Sequence, residues 1–316
     1  MKSSFRFRML VTLALWGGLA ASPLAAPFAY VPNEGSGTVT VIDTVTDEVV
    51  AQIPAGEKPR GLAASGNILY VSDQPNNRLQ LIDLQQRKPT GVIALGESPE
   101  GVSVSRDGRW IAAAIEESND VAVVDTRSGA VAFTIKVRGH NPEHAVFSPD
   151  GNRLFVSAEE GDAVDIIDLN TRKEIAQVPV GARPRGIGFL PDSSRAYVAT
   201  ENSNQVFVID TASAKVLATI AAGLRSNGIA VHPDGSRVYV SNGGAASVSV
   251  IDTTSNQIIA TVPVGQRPWN MALTPDGRKL YVANGRSNSV SVIDTGTNQK
   301  LRDVEVGKLP WGVFIQ

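Results

Sequence analysis

One pattern constrains this chain more than any other: a short aliphatic run ending in Asp recurs seven times at nearly constant spacing. The aspartates are Asp43, Asp83, Asp125, Asp168, Asp210, Asp252 and Asp294, separated by 40, 42, 43, 42, 42 and 42 residues. A Gly-x-x-Pro-x-Gly turn keeps the same period, led by Gly56, Gly96, Gly139, Gly181, Gly223, Gly265 and Gly307. So does an aromatic followed by an aliphatic residue, at Tyr30, Tyr70, Trp110, Phe155, Tyr197, Tyr239 and Tyr281. A Pro-Asp-Gly turn, intact at Pro149, Pro233 and Pro275, falls in phase with them. Independent signals at one period make chance an untenable explanation, and a period near 42 residues marks a propeller or solenoid.

Each repeat holds four short β-like runs. In the sixth they are Gly228 to Val231, Arg237 to Val240, Ser247 to Ile251 and Gln257 to Val262, with Gly, Pro, Asn and Asp between them. Val, Ile and Tyr favour strands, and the intervening residues favour turns. The fold expected is all-β, a seven-bladed propeller with four-stranded blades. The segment Phe28 to Val31 reads as a second strand, whereas Trp311 to Gln316 reads as a first strand. The C-terminus is therefore expected to supply the innermost strand of the N-terminal blade and close the ring, removing two open edges.

The first 26 residues read differently. Lys2, Arg6 and Arg8 precede an apolar run from Met9 to Ala21, followed by small residues up to Ala26. This is the pattern of a secretory signal, cleaved near Ala25 or Ala26, with an uncleaved anchor as the alternative. The expected division is 1–26 signal peptide and 27–316 propeller, with a periplasmic, monomeric product. Cleavage removes three positive charges and no acid, so the net charge moves from −2 to −5. With no cysteine in the chain, disulfides, thiolate metal sites and c-type haem attachment are excluded. Nothing suggests nucleic-acid binding, and neither a P-loop nor a dinucleotide fingerprint is present.

Residues that recur seven times serve the scaffold. The aspartates are expected to cap turns, the aromatics to pack between blades, and His232 to sit exposed in a turn. Departures from the consensus carry the functional information. The variable residue between Pro and Gly at the entry to each innermost strand is, in order, Arg60, Glu100, Glu143, Arg185, Asn227, Trp269 and Trp311. These seven are expected to ring one mouth of the central channel. Loops near the same face carry Glu34, Gln74, Glu116, Glu159, Glu201, Asn242 and Asn284. Acids concentrate on blades 3 to 5. Arg183, Arg185, Arg225, Arg267, Lys308, Lys58 and Arg60 fill the rest, giving an acidic arc and a basic, aromatic arc. His144 stands where five repeats have Gly, and Asn270 departs likewise. His140, Glu143 and His144 form the candidate divalent-metal set, since imidazole and carboxylate suit such ions.

The strings Tyr239-Val240-Ser241-Asn242 and Tyr281-Val282-Ala283-Asn284, with Val-x-Val-Ile-Asp-Thr and Val-Gly-x-x-Pro-x-Gly, resemble the YVTN family of β-propellers over the whole mature chain. A narrower resemblance lies in Gly139 to His144 followed by Phe155 to Glu160. It is to β-propeller proteins associated with PQQ-dependent alcohol catabolism. That resemblance implies a non-catalytic accessory or binding role beside a periplasmic quinoprotein dehydrogenase or cytochrome c. PQQ itself is a candidate ligand: a basic arc suits a tricarboxylate, and Trp269 and Trp311 suit a flat ring. The alternative is a lactonase-like, metal-dependent hydrolase, with Glu100, Glu143, Asn227 and Asn270 around a central ion.

Overall fold

The computed structural model describes residues 27–316, so the expected leader and its cleavage site lie outside the described residues. Among these residues, twenty-eight strands pair into seven four-stranded antiparallel sheets, one per repeat. Blade 1 holds Phe28–Asn33, Thr38–Asp43 and Glu48–Pro54. Blades 2 to 7 span 59–94, 99–136, 142–179, 184–221, 226–263 and 268–305, and each runs from innermost to outermost strand in chain order. No described helix is long and apolar enough to cross a membrane.

The burial pattern explains why these runs become strands of a propeller. Second and third strands are buried on both faces, because each blade is covered by a neighbour on either side. Outermost strands are exposed except near the end, where one aliphatic side chain turns inward: Ile53, Ile93, Ile135, Val178, Ile220, Val262 and Val304. The core is divided accordingly. Apolar clusters lie between successive blades, as where Tyr197, Ala199 and Val206 of blade 5 meet Val238, Val240 and Ile251 of blade 6. The repeated aromatics are buried there, apart from Trp110. That ring is half-buried, edge-on to Phe133 at 5.7 Å and covered by Arg109.

All seven aspartates cap the turn after the third strand. Asp43 accepts the Val45 amide at 2.7 Å, Asp168 that of Thr171 at 2.8 Å and Asp294 that of Thr297 at 2.7 Å. Asp83, Asp125, Asp210 and Asp252 do the same. His232 differs from expectation. It is half-buried, because its ring fills the space beside Gly277 of the next blade.

The ring closes through the C-terminal strand. Phe314–Ile315 pairs with Tyr30 and Ala29, and Trp311 donates its amide to Pro32 at 2.9 Å. The Phe28 and Gln316 backbones exchange hydrogen bonds at 2.8 and 3.1 Å. Val313 completes the apolar cluster that joins blade 7 to blade 1.

Candidate functional site

In blades 2 to 7 the ladder lapses just inside the innermost strand. Pro59 pairs with Asp73, for example, and the next partners are Leu62 and Val71. The other five blades show the same irregularity at the equivalent place. A bulge re-aims the residue it carries. Here it turns the variable residue toward the axis. Arg60, Glu143, Arg185, Asn227, Trp269 and Trp311 line one cavity of about 620 Å³. Glu100, the seventh, is fully buried and paired with Arg60.

The residue after each bulge is usually Gly because inner strands of adjacent blades nearly touch. A Cβ on Gly186 would stand 2.7 Å from the Asn227 carbonyl oxygen. Where His144 and Asn270 replace that Gly, their side chains enter the channel. The His144 ring reaches from blade 4 to stack on Trp311 of blade 1, at 5.4 Å and 13°. The Asn270 amide hydrogen-bonds the same imidazole, and burial holds its pKa below the usual range. Asn270 and Trp311 therefore form a floor. Below it lies a separate cavity of about 130 Å³, lined by Leu62, Val102, Ile187, Ile229 and Val313.

A second tier comes from the residue just after each second strand: Glu34, Gln74, Glu116, Glu159, Glu201, Gly243 and Gly285. The two glycines make room for the bulkiest neighbours. A Cβ on Gly285 would meet the Trp269 ring at 3.1 Å, and one on Gly243 would meet Arg267 Nη1 at 3.1 Å. Asn242 and Asn284, expected at the mouth, are fully buried scaffold. Each donates to two serines of the adjacent third strand.

The two expected arcs are not separate, because long side chains reach across blades and pair. Glu201, fully buried, accepts from three arginines, Arg185 at 3.0 Å, Arg225 at 3.0 Å and Arg267 at 2.7 Å, and forms an ion pair with a fourth, Arg183, at 3.4 Å. Arg185 also reaches Glu143 at 2.6 Å and Glu159 at 3.1 Å. Arg183 pairs with Glu159 as well. Arg60 bridges Glu100 and Glu34. Among the described residues, Arg225 and Arg267 have only Glu201 as a carboxylate partner.

On the other side of the mouth the balance is reversed. Glu116, Glu143 and Glu159 place carboxylate oxygens within 4.8 Å of one another. Burial disfavours charge on Glu143, but Arg185 and its other neighbours outweigh it and hold the pKa down to about 2. For Glu159 burial wins over Arg185, and with Glu143 alongside the pKa rises to about 7. Burial, then Glu143, push Glu100 well above the carboxylate range. His140, Glu143 and His144 are not brought together as one set of donors. His140 is exposed, His144 points across the channel, and only Glu143 joins the group above. Glu116, Glu159 and Glu201 were visible in the sequence as mouth-loop acids. Nothing in the spacing showed which would meet.

Comparison with known proteins agrees with this architecture. A family described as "Lactonase, 7-bladed beta-propeller" matches residues 141–309. NirF of Stutzerimonas stutzeri is 24% identical over 140 residues, covering 43% of this chain and 35% of NirF. The chain thus spans about a third of the length of that curated relative. Among solved structures, Kuenenia stuttgartiensis hydrazine synthase superposes with a TM-score of 0.78 at 23% identity, over 89% of this chain and 99% of that one. A functionally unknown protein from Desulfotomaculum acetoxidans gives 0.80 at 18%, over 91% and 98%. A candidate 6-phosphogluconolactonase from Bacteroides uniformis gives 0.77 at 21%, over 92% and 100%. These structural likenesses show the fold alone. The sequence match covers more than half of the chain, and with seven four-stranded blades in the structure the protein belongs to the seven-bladed β-propeller lactonase family.

Proposed function

We propose that the protein is an exported, non-catalytic binding protein that captures a small anionic ligand at the channel mouth. The observation that carries this reading is the convergence of Arg183, Arg185, Arg225 and Arg267 on the single carboxylate of Glu201, beside Trp269. Guanidinium forks match carboxylate oxygens. Arg225 and Arg183 keep 44% and 39% of their side-chain surface open to solvent, leaving donors free for a ligand. Trp269 is half-buried and its ring can accept a flat group, whereas one face of Trp311 is taken by His144. A planar polycarboxylate such as PQQ has the right chemistry, and this supports the reading of a role beside a periplasmic PQQ-dependent alcohol oxidation system. A quinoprotein dehydrogenase or cytochrome c is the partner of that reading. The test is calorimetric titration of PQQ and simple di- and tricarboxylates into the protein and into Arg225→Gln and Trp269→Ala variants. Saturable PQQ binding weakened in both variants is expected. No heat from any of these ligands would end the proposal.

A second reading, lactone hydrolysis, is favoured by the family match and by one carboxylate pair. Glu143 stays ionised while Glu159 is half protonated near neutrality, and such opposed tuning suits a base and an acid. Proton release from a panel of lactones at constant pH, abolished by Glu143→Gln, would favour it over the binding role.

A further inference from the structure

Strand register singles out the seam between blades 3 and 4. In the other blades the second strand places a ring opposite an aliphatic residue of the third: Tyr30 lies opposite Val41, Tyr70 opposite Leu81, Phe155 opposite Ile166, Tyr197 opposite Val208, Tyr239 opposite Val250 and Tyr281 opposite Val292. In blade 3 that place, opposite Val123, belongs to Ala112. Trp110, which the repeat period groups with the rings, lies two residues earlier, opposite Asp125. Blades 4 to 7 carry a cation there, Arg153, Arg195, Arg237 and Lys279. Each crosses to the next blade and donates to the carbonyl of Thr211, Thr253, Thr295 or Thr44, at 2.6 to 2.9 Å. At the seam of blades 3 and 4 the filling ring and the bridging cation are both replaced, and Leu169 stands where those blades have Thr.

The outermost strand departs at the same level. Phe133 lies opposite Val123, where blades 1, 4, 5 and 6 have Ala51, Ala176, Ala218 and Ala260. The result is a cleft of about 590 Å³ walled by Trp110, Val123, Phe133, Phe147 and Leu169. Its size suits a small organic molecule. It opens at the far ends of the strands from the mouth, since Glu100 begins the innermost strand of blade 3 and Ser105 follows its end.

The charge on its rim has a sign. Asp107 and Asp150 are engaged by their own turns: Asp107 accepts the Ser105 hydroxyl at 2.6 Å and the Arg109 amide at 3.1 Å, and Asp150 accepts the Asn152 amide at 3.1 Å. Arg106 and Arg172 also line the cleft, both exposed, and among the described residues neither pairs with a carboxylate. Arg172 is held over the Phe133 ring, 4.1 Å from its centroid. Guanidiniums beside an aromatic wall match an anion carried on a flat apolar body.

We propose that the cleft between blades 3 and 4 binds a small aromatic carboxylate, its ring against Trp110 and Phe133 and its carboxylate on Arg172 and Arg106. The site is separate from the channel mouth, so it can fail while anion capture there stands, and the reverse.

The experiment is calorimetric titration of the protein with 2-naphthoate and with uncharged 2-naphthamide, with melting curves in parallel. Saturable naphthoate binding is expected, tighter than that of the amide. Ala112→Tyr restores the ring that the other blades carry, in the apolar cluster that Ala112 shares with Val123 and Phe147. It is expected to weaken binding more than roughly tenfold by filling the cleft, with the melting temperature kept. Phe133→Ala, the residue of four other blades, and Arg172→Gln are each expected to weaken it roughly threefold to tenfold. Arg225→Gln, at the mouth, is expected to leave it unchanged. Absence of saturable naphthoate binding overturns the proposal, and so does amide binding as tight as that of the acid. Binding lost in Arg225→Gln but kept in Ala112→Tyr would move the ligand to the mouth and overturn it too. If Ala112→Tyr does not fold, undiminished binding in both Phe133→Ala and Arg172→Gln is the overturning result.

Discussion

Glu143 and Glu159 share the Arg185 guanidinium, yet their acidities are driven apart, and the consequence can be measured. The pKa of Glu159 rises from an ordinary 4.5 to about 7. The folded state therefore holds that proton more tightly than the unfolded chain, and stability declines as pH climbs from 4.5 to about 7. Glu143 works in the opposite sense. Its pKa falls to about 2, so its contribution is present above 4.5 and lost as pH drops toward 2. Removing the titrating group by Glu159→Gln is expected to reduce the decline on the neutral side, to which Glu100 also contributes, and to keep the acid limb. Buried His144, with its lowered pKa, adds a slope of opposite sign in the upper window. The readout is therefore the difference between wild-type and variant melting temperatures across a pH series, and parallel curves would contradict the assignment. The inner-tier residues were readable from sequence because each varies at a fixed place in an otherwise constant repeat. The hub at Glu201 was not, because spacing locates a Cα and says nothing about how far four arginines from three blades will reach. The His144–Trp311 stack escaped for the same reason, since its partners are 167 residues apart and meet only across the axis.

The element that decides whether the blades form a ring is the last one. Sequence phase assigned Trp311 to Gln316 to blade 1, and the structure places them there, but only Phe314–Ile315 pairs as strand. The shortfall has a physical cause. Trp311 to Val313 occupy the place where the other blades carry their bulge, so the ladder lapses there too and Trp311 is turned toward the mouth. Deleting Trp311 to Gln316 removes the backbone bonds to Phe28 and Pro32 and exposes the cluster that Val313 covers. At roughly 1 kcal/mol per hydrogen bond and about 2 kcal/mol per buried apolar side chain, the loss is roughly 5 to 10 kcal/mol. For a chain of this size the melting temperature is then expected to fall by roughly 10 to 20 °C. An unchanged midpoint in a thermal scan would mean the ring does not depend on its clasp.

At the scale of the whole molecule, stability resides in equivalent interfaces, since an apolar cluster lies between each pair of neighbouring blades, including the pair joined at the chain ends. No cysteine staples any of them. If the interfaces are equivalent, the position of the chain break should matter little, provided that every blade keeps four strands. This can be tested by moving the break. The Phe28 amide lies 2.8 Å from the Gln316 carbonyl oxygen, so a short linker can join the ends of 27–316 without strain. New ends can be opened in the exposed turn of blade 3 after Gly129, between its third and outermost strands. There the outermost strand, anchored by Ile135, would become the clasp. The permuted chain is expected to melt in one transition within a few degrees of the parent, in contrast to the deletion of Trp311 to Gln316. Two transitions, or a loss as large as that of the deletion, would show that the blade 7 to blade 1 interface holds the ring in a way the others do not.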